Sequence, residues 1–354
     1  MNIGIICKYP IPYGMAATTR IFSYSKGLLE CGDKVDVWSI APNNFNANNN
    51  NEGVFNGISY FYSFRSKRFS NKLFHAYEMI YSLFILGVKL HKRDKIRRYD
   101  VFIISSDSLI CLLYMRVLNI LFKRKLIFIF DEWDYIFTNN LFENNQNDFL
   151  EFIRQLLKDQ PYVALAYMTG VLPIKKYSSG SALNMFDEYT FLKDRIYDEY
   201  FGFTNEEVLA LCEKNDEIKF SDLESWYNGY LTTKGKKIYN PRSVIKALEN
   251  GYCESYWTNT GAMDEVTDYL KYNTLEIRED VIEMVSGEEV DIFIDEEFRA
   301  GQREPRTKEE IYSAMIILGF LSYHDGYLRI PNRELMKEFE KALKDDLLEK
   351  YQEL

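Results

Sequence analysis

The chain has 354 residues, 47% hydrophobic, 27% charged and 16% aromatic, an ordinary globular mix with ample material for a packed core. Its five cysteines (Cys7, Cys31, Cys111, Cys212, Cys253) lie far apart with no CxxC pair, which argues against a disulfide frame or a cysteine zinc site and suits a reducing compartment. The net charge of −10 hides a split: residues 1–128 carry 18 Lys+Arg against 8 Asp+Glu, and the acidic excess lies wholly in the remainder.

The length favours two domains, or one large domain with an appendage. "MNIGIICKYP" lacks the long apolar core and cleavage site of a signal peptide, so a soluble cytoplasmic protein is expected. "NIGIIC" (2–7) reads as a buried strand and "TTRIFSYSKGLLECG" (18–32) as a helix stopped by Gly32. "KVDVWSI" (34–40) is an alternating strand, and "NNFNANNNNEG" (43–53) is a polar, mobile loop. "ISYFYSF" (58–64) is a third strand, and "LFHAYEMIYSLFILGVKL" (73–90) is a long apolar helix. Its charged tail "HKRDKIRR" (91–98) reads as a solvated helix end, with nucleic acid or anionic lipid as the alternative contact. "VFIISSDSLICLLYMRVLNILF" (101–122) contains Asp107 and Arg116, which a membrane span tolerates poorly; it reads as a buried strand and then a buried helix. "LIFIF" (126–130) is the next strand. Strands alternating with helices predict a parallel sheet covered on both faces.

Beyond 131 the texture changes. "NDFLEFIRQLLKD" (147–159) is an amphipathic helix and "YVALAYMTG" (162–170) another buried strand. Short helices follow at 204–215, 220–230, 241–251 and 263–272, the first opened by a Thr204–Glu207 capping box and the third by Pro241. The last segment, 307–351, reads helix, hairpin, helix, with the turn at "HDGY" (324–327). The expected fold is α/β: a doubly wound, mostly parallel, Rossmann- or P-loop-like sheet, then a mainly helical C-terminal region with a winged-helix-like end.

The stretch "LIFIFDEWDYIF" (126–137) carries the chemistry. A hydrophobic strand that delivers Asp131 and Glu132 at its end has the shape of a Walker B motif, which holds Mg²⁺ and aims a water at a nucleotide phosphate. The alternative is a strand-end pair left in solvent or salt-bridged to a neighbour. Walker B works with a glycine-rich phosphate loop and its lysine, G-x-x-x-x-G-K-[ST], and the chain has no match. The nearest candidate by position is "KYPIPYGMAATTR" (8–20), where Gly14 and Arg20 are the candidate cofactor contacts, Arg20 being placed to meet an anion at a helix start. The competing reading is a strand-to-helix turn that stabilises the fold. Three separated histidines (His75, His91, His324) suggest no metal site, and Trp133, Trp226, Tyr227 and Trp257 read as packing residues.

From "FIFDEWDYIF" onward, "QLLKDQPYVALAYMTGVLPIKKYSSGSALNMFDEYTF", "EYFGFTNEEV", "WYNGY", "YNPRSVIKAL" and "YWTNTG" follow one another in an order and spacing that resemble the AAA-ATPase-like family, over roughly 129–345. The resemblance implies ATP and Mg²⁺ as cofactors, with Asp131 as the metal-holding residue, Glu132 orienting the attacking water and Thr169 as the sensor of the γ-phosphate. It also implies a helical lid and a winged-helix-like appendage. Many members continue into a nuclease domain, and this chain ends before one, so nuclease activity is not implied.

Upstream, "MNIGIICKYPIPYGMAATTRIFSYSKGLLECGDKVDVWSIAP", "GVFNGISYFYS" and "RYDVFIISSDS" resemble the N-terminal domain of GT-B, family-four glycosyltransferases, over roughly 1–130. That resemblance makes Pro12–Ala17 the loop beside an acceptor site. The family's donor motif is E-x7-E, a spacing that Glu199 and Glu207 share although a donor domain is missing. The sequence therefore looks like two families joined near residue 130, with segments 1–130, 131–200 (Walker B and sensor strand) and 201–354 (helical lid and winged-helix-like region). The expected function is an ATPase-like protein with Walker B but no Walker A, and so weak or absent ATP hydrolysis. The alternatives are a glycosyltransferase using a nucleotide sugar and a non-enzymatic protein that binds a protein partner. The acidic second half argues against nucleic acid at that end.

Overall fold

The computed structural model describes residues 1–43, 46–66, 72–106, 109–138, 141, 146–170, 183–190, 196–215, 217–257, 276–292, 294 and 307–352. Two compact units emerge, Met1–Gly170 and Val171–Leu354. The boundary falls at 170, so residues 131–170 belong with the first 130 in one sheet.

Unit 1 runs β1 (Asn2–Cys7), α1 (Ala16–Glu30), β2 (Lys34–Ser39), β3 (Glu52–Phe55), β4 (Ile58–Tyr62), α2 (Lys72–Ile96), β5 (Val101–Ser105), α3 (Leu109–Phe122), β6 (Lys125–Phe130), a single turn α4 (Tyr135–Thr138), α5 (Gln146–Leu157) and β7 (Val163–Met168). The seven strands lie in the order β3-β4-β2-β1-β5-β6-β7, and every neighbouring pair is parallel except β3 with β4. With the antiparallel edge strand set aside, the parallel strands follow the 3-2-1-4-5-6 order of doubly wound sheets, whose winding reverses between β1 and β5. Ile21 and Phe22 of α1 pack on the face formed by Ile3, Ile5, Val37 and Ile103. On the opposite face Phe102 meets Phe122 of α3 edge-on at 5.4 Å, and Leu86 and Leu90 of α2 are buried.

The charged tail of α2 is not simply solvated. Arg93 Nε and Arg97 Nη1 donate to the fully buried Asp36 of β2 at 3.0 and 3.1 Å, and the Tyr99 hydroxyl donates to it at 2.7 Å. The Asp36 hydrogen bond is the main cause that holds the Arg93 guanidinium above its usual value, and burial is the main cause that raises the Tyr99 phenol. Asp94 of the same run pairs with Arg124 at 3.1 Å. Only the remaining cations of the run face water.

Two segments expected to be buried are half exposed. β7 forms an edge of the sheet, leaving Leu165 and Tyr167 more than half exposed. α3 buries Cys111, Leu112 and Met115 but turns Leu113, Val117, Ile120 and Leu121 outward. An all-round apolar helix shows in sequence that it can be buried, not that a second layer exists to cover it. Asp107 lies outside the described residues, and no described helix is long and apolar enough to cross a membrane.

Unit 2 opens with a 3₁₀ turn (Asp198–Phe201), then α6 (Asn205–Cys212), α7 (Phe220–Tyr227), β8 (Asn228–Leu231), β9 (Lys237–Tyr239) and α8 (Pro241–Asn250). It continues with α9 (Glu276–Val285), β10 (Val290–Asp291), α10 (Lys308–Ile317), β11 (Ser322–His324), β12 (Tyr327–Arg329) and α11 (Arg333–Gln352). The Thr204–Glu207 box caps α6, Pro241 takes the first turn of α8, and Asp325 and Gly326 adopt positive φ in the β11–β12 turn. The helix expected at 263–272 lies outside the described residues. Gly229 of "WYNGY" has φ +127°, and a Cβ there would lie 1.7 Å from the Pro331 carbonyl oxygen, so only glycine permits this approach.

Glu334, in the first turn of α11, ties this unit together. Its carboxyl is 1% exposed and accepts the Tyr256 and Trp257 amides at 2.7 Å each and the Ser243 hydroxyl at 2.8 Å. Burial, outweighing these bonds, raises its pKa above the ordinary value of 4.5.

Two predictions follow from these buried carboxyls. Asp36→Ala strands two guanidinium groups and a phenol; the expected cost is about 3–5 kcal/mol, read from urea unfolding of unit 1, whereas a loss under about 1 kcal/mol would mean the cluster is already solvated. For Glu334, the folded carboxyl keeps its proton to higher pH than the unfolded one. Its contribution is therefore complete below the unfolded value and declines as pH rises through the folded value. Hydrogen exchange at the 256 and 257 amides should show protection falling over that window, and Glu334→Gln should flatten the fall.

Candidate functional site

The site forms at the carboxyl ends of β6 and β7. Side chains alternate along β6, so Ile127, Ile129 and then Asp131 point toward α1. Ile129 pairs in register with Tyr167, and two residues further on Thr169 stands beside Asp131. The Thr169 hydroxyl donates to Asp131 Oδ1 at 2.7 Å and accepts the Glu132 amide at 3.3 Å. The ladder also continues past the strands, with Thr169 N donating to the Phe130 carbonyl at 2.9 Å and Trp133 N to the Thr169 carbonyl at 3.0 Å.

Arg20, in the second turn of α1, completes the cluster by donating through Nη1 to Asp131 Oδ2. This bond is the main cause that lifts the Arg20 guanidinium above its usual value. Burial raises the neighbouring Tyr24 phenol, with Arg20 opposing the rise. Glu132 has φ +49° and an exposed side chain. That backbone is sparsely populated by residues other than glycine, and it turns the chain sharply after the strand. Asp134 is 2% exposed, and Gly170 allows its close approach: a Cβ there would lie 2.7 Å from Asp134 Oδ1.

The loop between β1 and α1 is built differently from a phosphate cradle. A Cβ on Gly14 would fall 2.1 Å from Thr18 Oγ1 and 2.8 Å from the Pro10 carbonyl oxygen, so this glycine makes room for its own helix. Ile11 N donates to the Tyr62 hydroxyl at 2.6 Å, and the Ile11–Pro12 peptide is cis. Asn48 clasps the loop tip, accepting from Tyr13 N at 3.1 Å and donating to the Tyr13 carbonyl at 3.0 Å. Asn48 is 2% exposed and Asn43 1%, so these two side chains of the asparagine-rich segment are packed, while 46, 47, 49 and 50 are exposed. A run of asparagines reads as loop in sequence; which amide meets a backbone 35 residues away is not local information.

The resemblance implies one site for Asp131, Glu132 and Thr169; the three adjoin, and Arg20 joins them at Asp131. Gly14 lies in the loop before α1 and makes no contact with the cluster among the described bonds. Two strand positions separate β6 from β1, about 10 Å of sheet. Arg20 and Thr169 each engage one oxygen of Asp131, and the Arg20 guanidinium already supplies beside that carboxylate the positive charge a Mg²⁺ would bring. Among the described residues no group of three or more His, Cys, Asp or Glu side chains is arranged to hold a metal. The donor-type pair is likewise engaged locally: Glu199 meets Lys236 at 2.5 Å and Glu207 closes the α6 capping box. Trp133 and Tyr227 are buried, while Trp226 lies under Arg333 and Lys337 at 5.0 and 4.2 Å. A polar cleft of about 330 Å³ in unit 2 is lined by Glu224, Asn228, Lys237 and Arg329.

No family model matches the chain. Over 152 residues it is 27% identical to an uncharacterized protein in the vnfD 5′ region of Azotobacter chroococcum mcd 1, a match covering 41% of this chain and 29% of that protein. The chain thus spans less than a third of that relative.

The clasp yields a prediction. Asn48→Ala leaves the Tyr13 amide without its acceptor, at an expected cost of about 1–3 kcal/mol and with faster amide exchange at Ile11 and Tyr13. Unchanged exchange there would show that the loop holds its form without Asn48.

Proposed function

We propose that this chain is an AAA-ATPase-like, P-loop-related protein that keeps its Walker B carboxylates, lacks Walker A, and hydrolyses ATP weakly or not at all. One observation carries the reading: Asp131 stands at a strand end beside Thr169, the arrangement the resemblance implies, but its second oxygen belongs to Arg20. In this reading Asp131, Glu132 and Thr169 are remnants of a nucleotide site, and the upstream 130 residues derive from a glycosyltransferase-type domain joined to it. The α10–β11–β12–α11 segment, a helix, a hairpin and a helix, supports a winged-helix-like end suited to a protein partner. Five free cysteines support a cytoplasmic location.

Calorimetry with Mg-ATP tests the proposal. The expected Kd is weaker than about 1 mM, with turnover weak or absent. A micromolar Kd, or turnover of about 1 s⁻¹ or more that Asp131→Asn or Glu132→Gln abolishes, overturns it. A second reading, nucleotide-sugar binding, is favoured by the Asn48-clasped loop at the sheet's winding reversal, where doubly wound folds take ligands. Micromolar binding of a UDP-sugar, lost in Asn48→Ala, would move the assignment to that reading.

A further inference from the structure

The outer faces of α2 and α3 form a surface that the proposed function does not use. The two helices cross closely because Gly87 lacks a side chain: a Cβ there would lie 2.7 Å from the Tyr114 hydroxyl, which donates to the Leu83 carbonyl. Their inner faces cover the sheet. Outward they present Tyr77, Ile80 and Phe84 from α2 and Val117, Ile120 and Leu121 from α3, each between 63% and 72% exposed. Large apolar side chains gathered on one exposed face mark an interaction surface.

Cations predominate among the described residues that border these helices. Lys92, Lys95 and Arg98 are exposed at the end of α2, Arg116 on α3 and Lys123 just beyond it. The acids of α2 do not compete: Glu78 is 8% exposed, and Asp94 is paired with Arg124. α3 contains no acid. Asp100, just beyond α2, is exposed and accepts the Asn2 amide, and Asp107 lies outside the described residues. An exposed apolar face bordered by cations matches the two attractions of a peripheral membrane helix: burial of apolar side chains at the acyl boundary and attraction to anionic headgroups. Tyr77 and Tyr81 add phenols suited to the headgroup level. A second copy of this face would bring like charges together.

We propose that the α2–α3 face docks on the surface of an anionic lipid bilayer, lying in the interface without crossing it. The test is co-sedimentation of the full chain with vesicles of phosphatidylglycerol and phosphatidylcholine in equal parts, against phosphatidylcholine alone. Partition should favour the anionic vesicles by about tenfold or more and weaken as salt rises. Phe84→Glu with Leu121→Glu should reduce partition by more than about tenfold. Lys92→Glu with Lys95→Glu and Arg116→Glu should remove the preference for anionic lipid. All five positions are exposed, so circular dichroism and urea midpoints should stay unchanged, and the charge variants test the idea even if the apolar pair misfolds. Absence of partition, partition indifferent to both variant sets, or a concentration-dependent dimer that Phe84→Glu with Leu121→Glu converts to monomer would each overturn the proposal.

Discussion

The Asp36 carboxylate, wholly buried on a sheet face, constrains unit 1 more than any other single group. A charge in that position needs cationic partners, and both come from the end of α2: Arg93 in its last turn and Arg97 just beyond it. Leu86, Leu90 and Arg93 therefore share a face of α2, and that face has to meet the sheet. Once it does, the helix cannot rotate to bury Phe84 or Ile80 without stranding two guanidinium groups. The outward apolar stripe is thus a consequence of an ionic lock on the opposite side.

Asp131 is the contrasting case. It too has an arginine, but both side chains are about 40% exposed, and the pair is worth no more than about 1 kcal/mol. Its value is positional. The period-2 alternation of β6 aims the carboxylate at α1, and the β6–β7 register places Thr169 against it, so the cluster arises from the sheet with little help from the loop. A hydrolytic site needs the reverse weighting, in which a pre-shaped loop gathers phosphates and leaves the carboxylate for metal. Here the loop is braced by Asn48, Tyr62 and Thr18 for its own rigidity.

This difference explains what the sequence made legible. Strands, helices, the capping box and the Asp-Gly turn follow local rules, and the Asp131–Thr169 contact follows from pairing two apolar strands. The Arg20–Asp131 contact spans 111 positions, and Asn48 reaches a loop 35 positions earlier; no spacing rule joins such residues. Burial was the hardest to read. Apolar periodicity marks the faces of β7 and α3 that are able to be covered, yet the number of layers in the molecule decides whether they are.

The proposed join near residue 130 raises the question of why a sheet assembled from two sources would close at all. Parallel ladders are made of backbone groups, and β6 accepts β5 on one side and β7 on the other whatever the side chains. Core packing is less tolerant, since side chains must interdigitate at crystal-like density. A mismatch would therefore be least costly where one side of the contact is solvent. The half-exposed Leu165 and Tyr167 lie on β7, the sheet edge contributed from beyond residue 130, while β1, β2 and β5, all upstream, supply the tightly buried centre. A join beside an edge strand asks the fewest side chains to find new neighbours, and it leaves β6 its register and Asp131 its aim at α1.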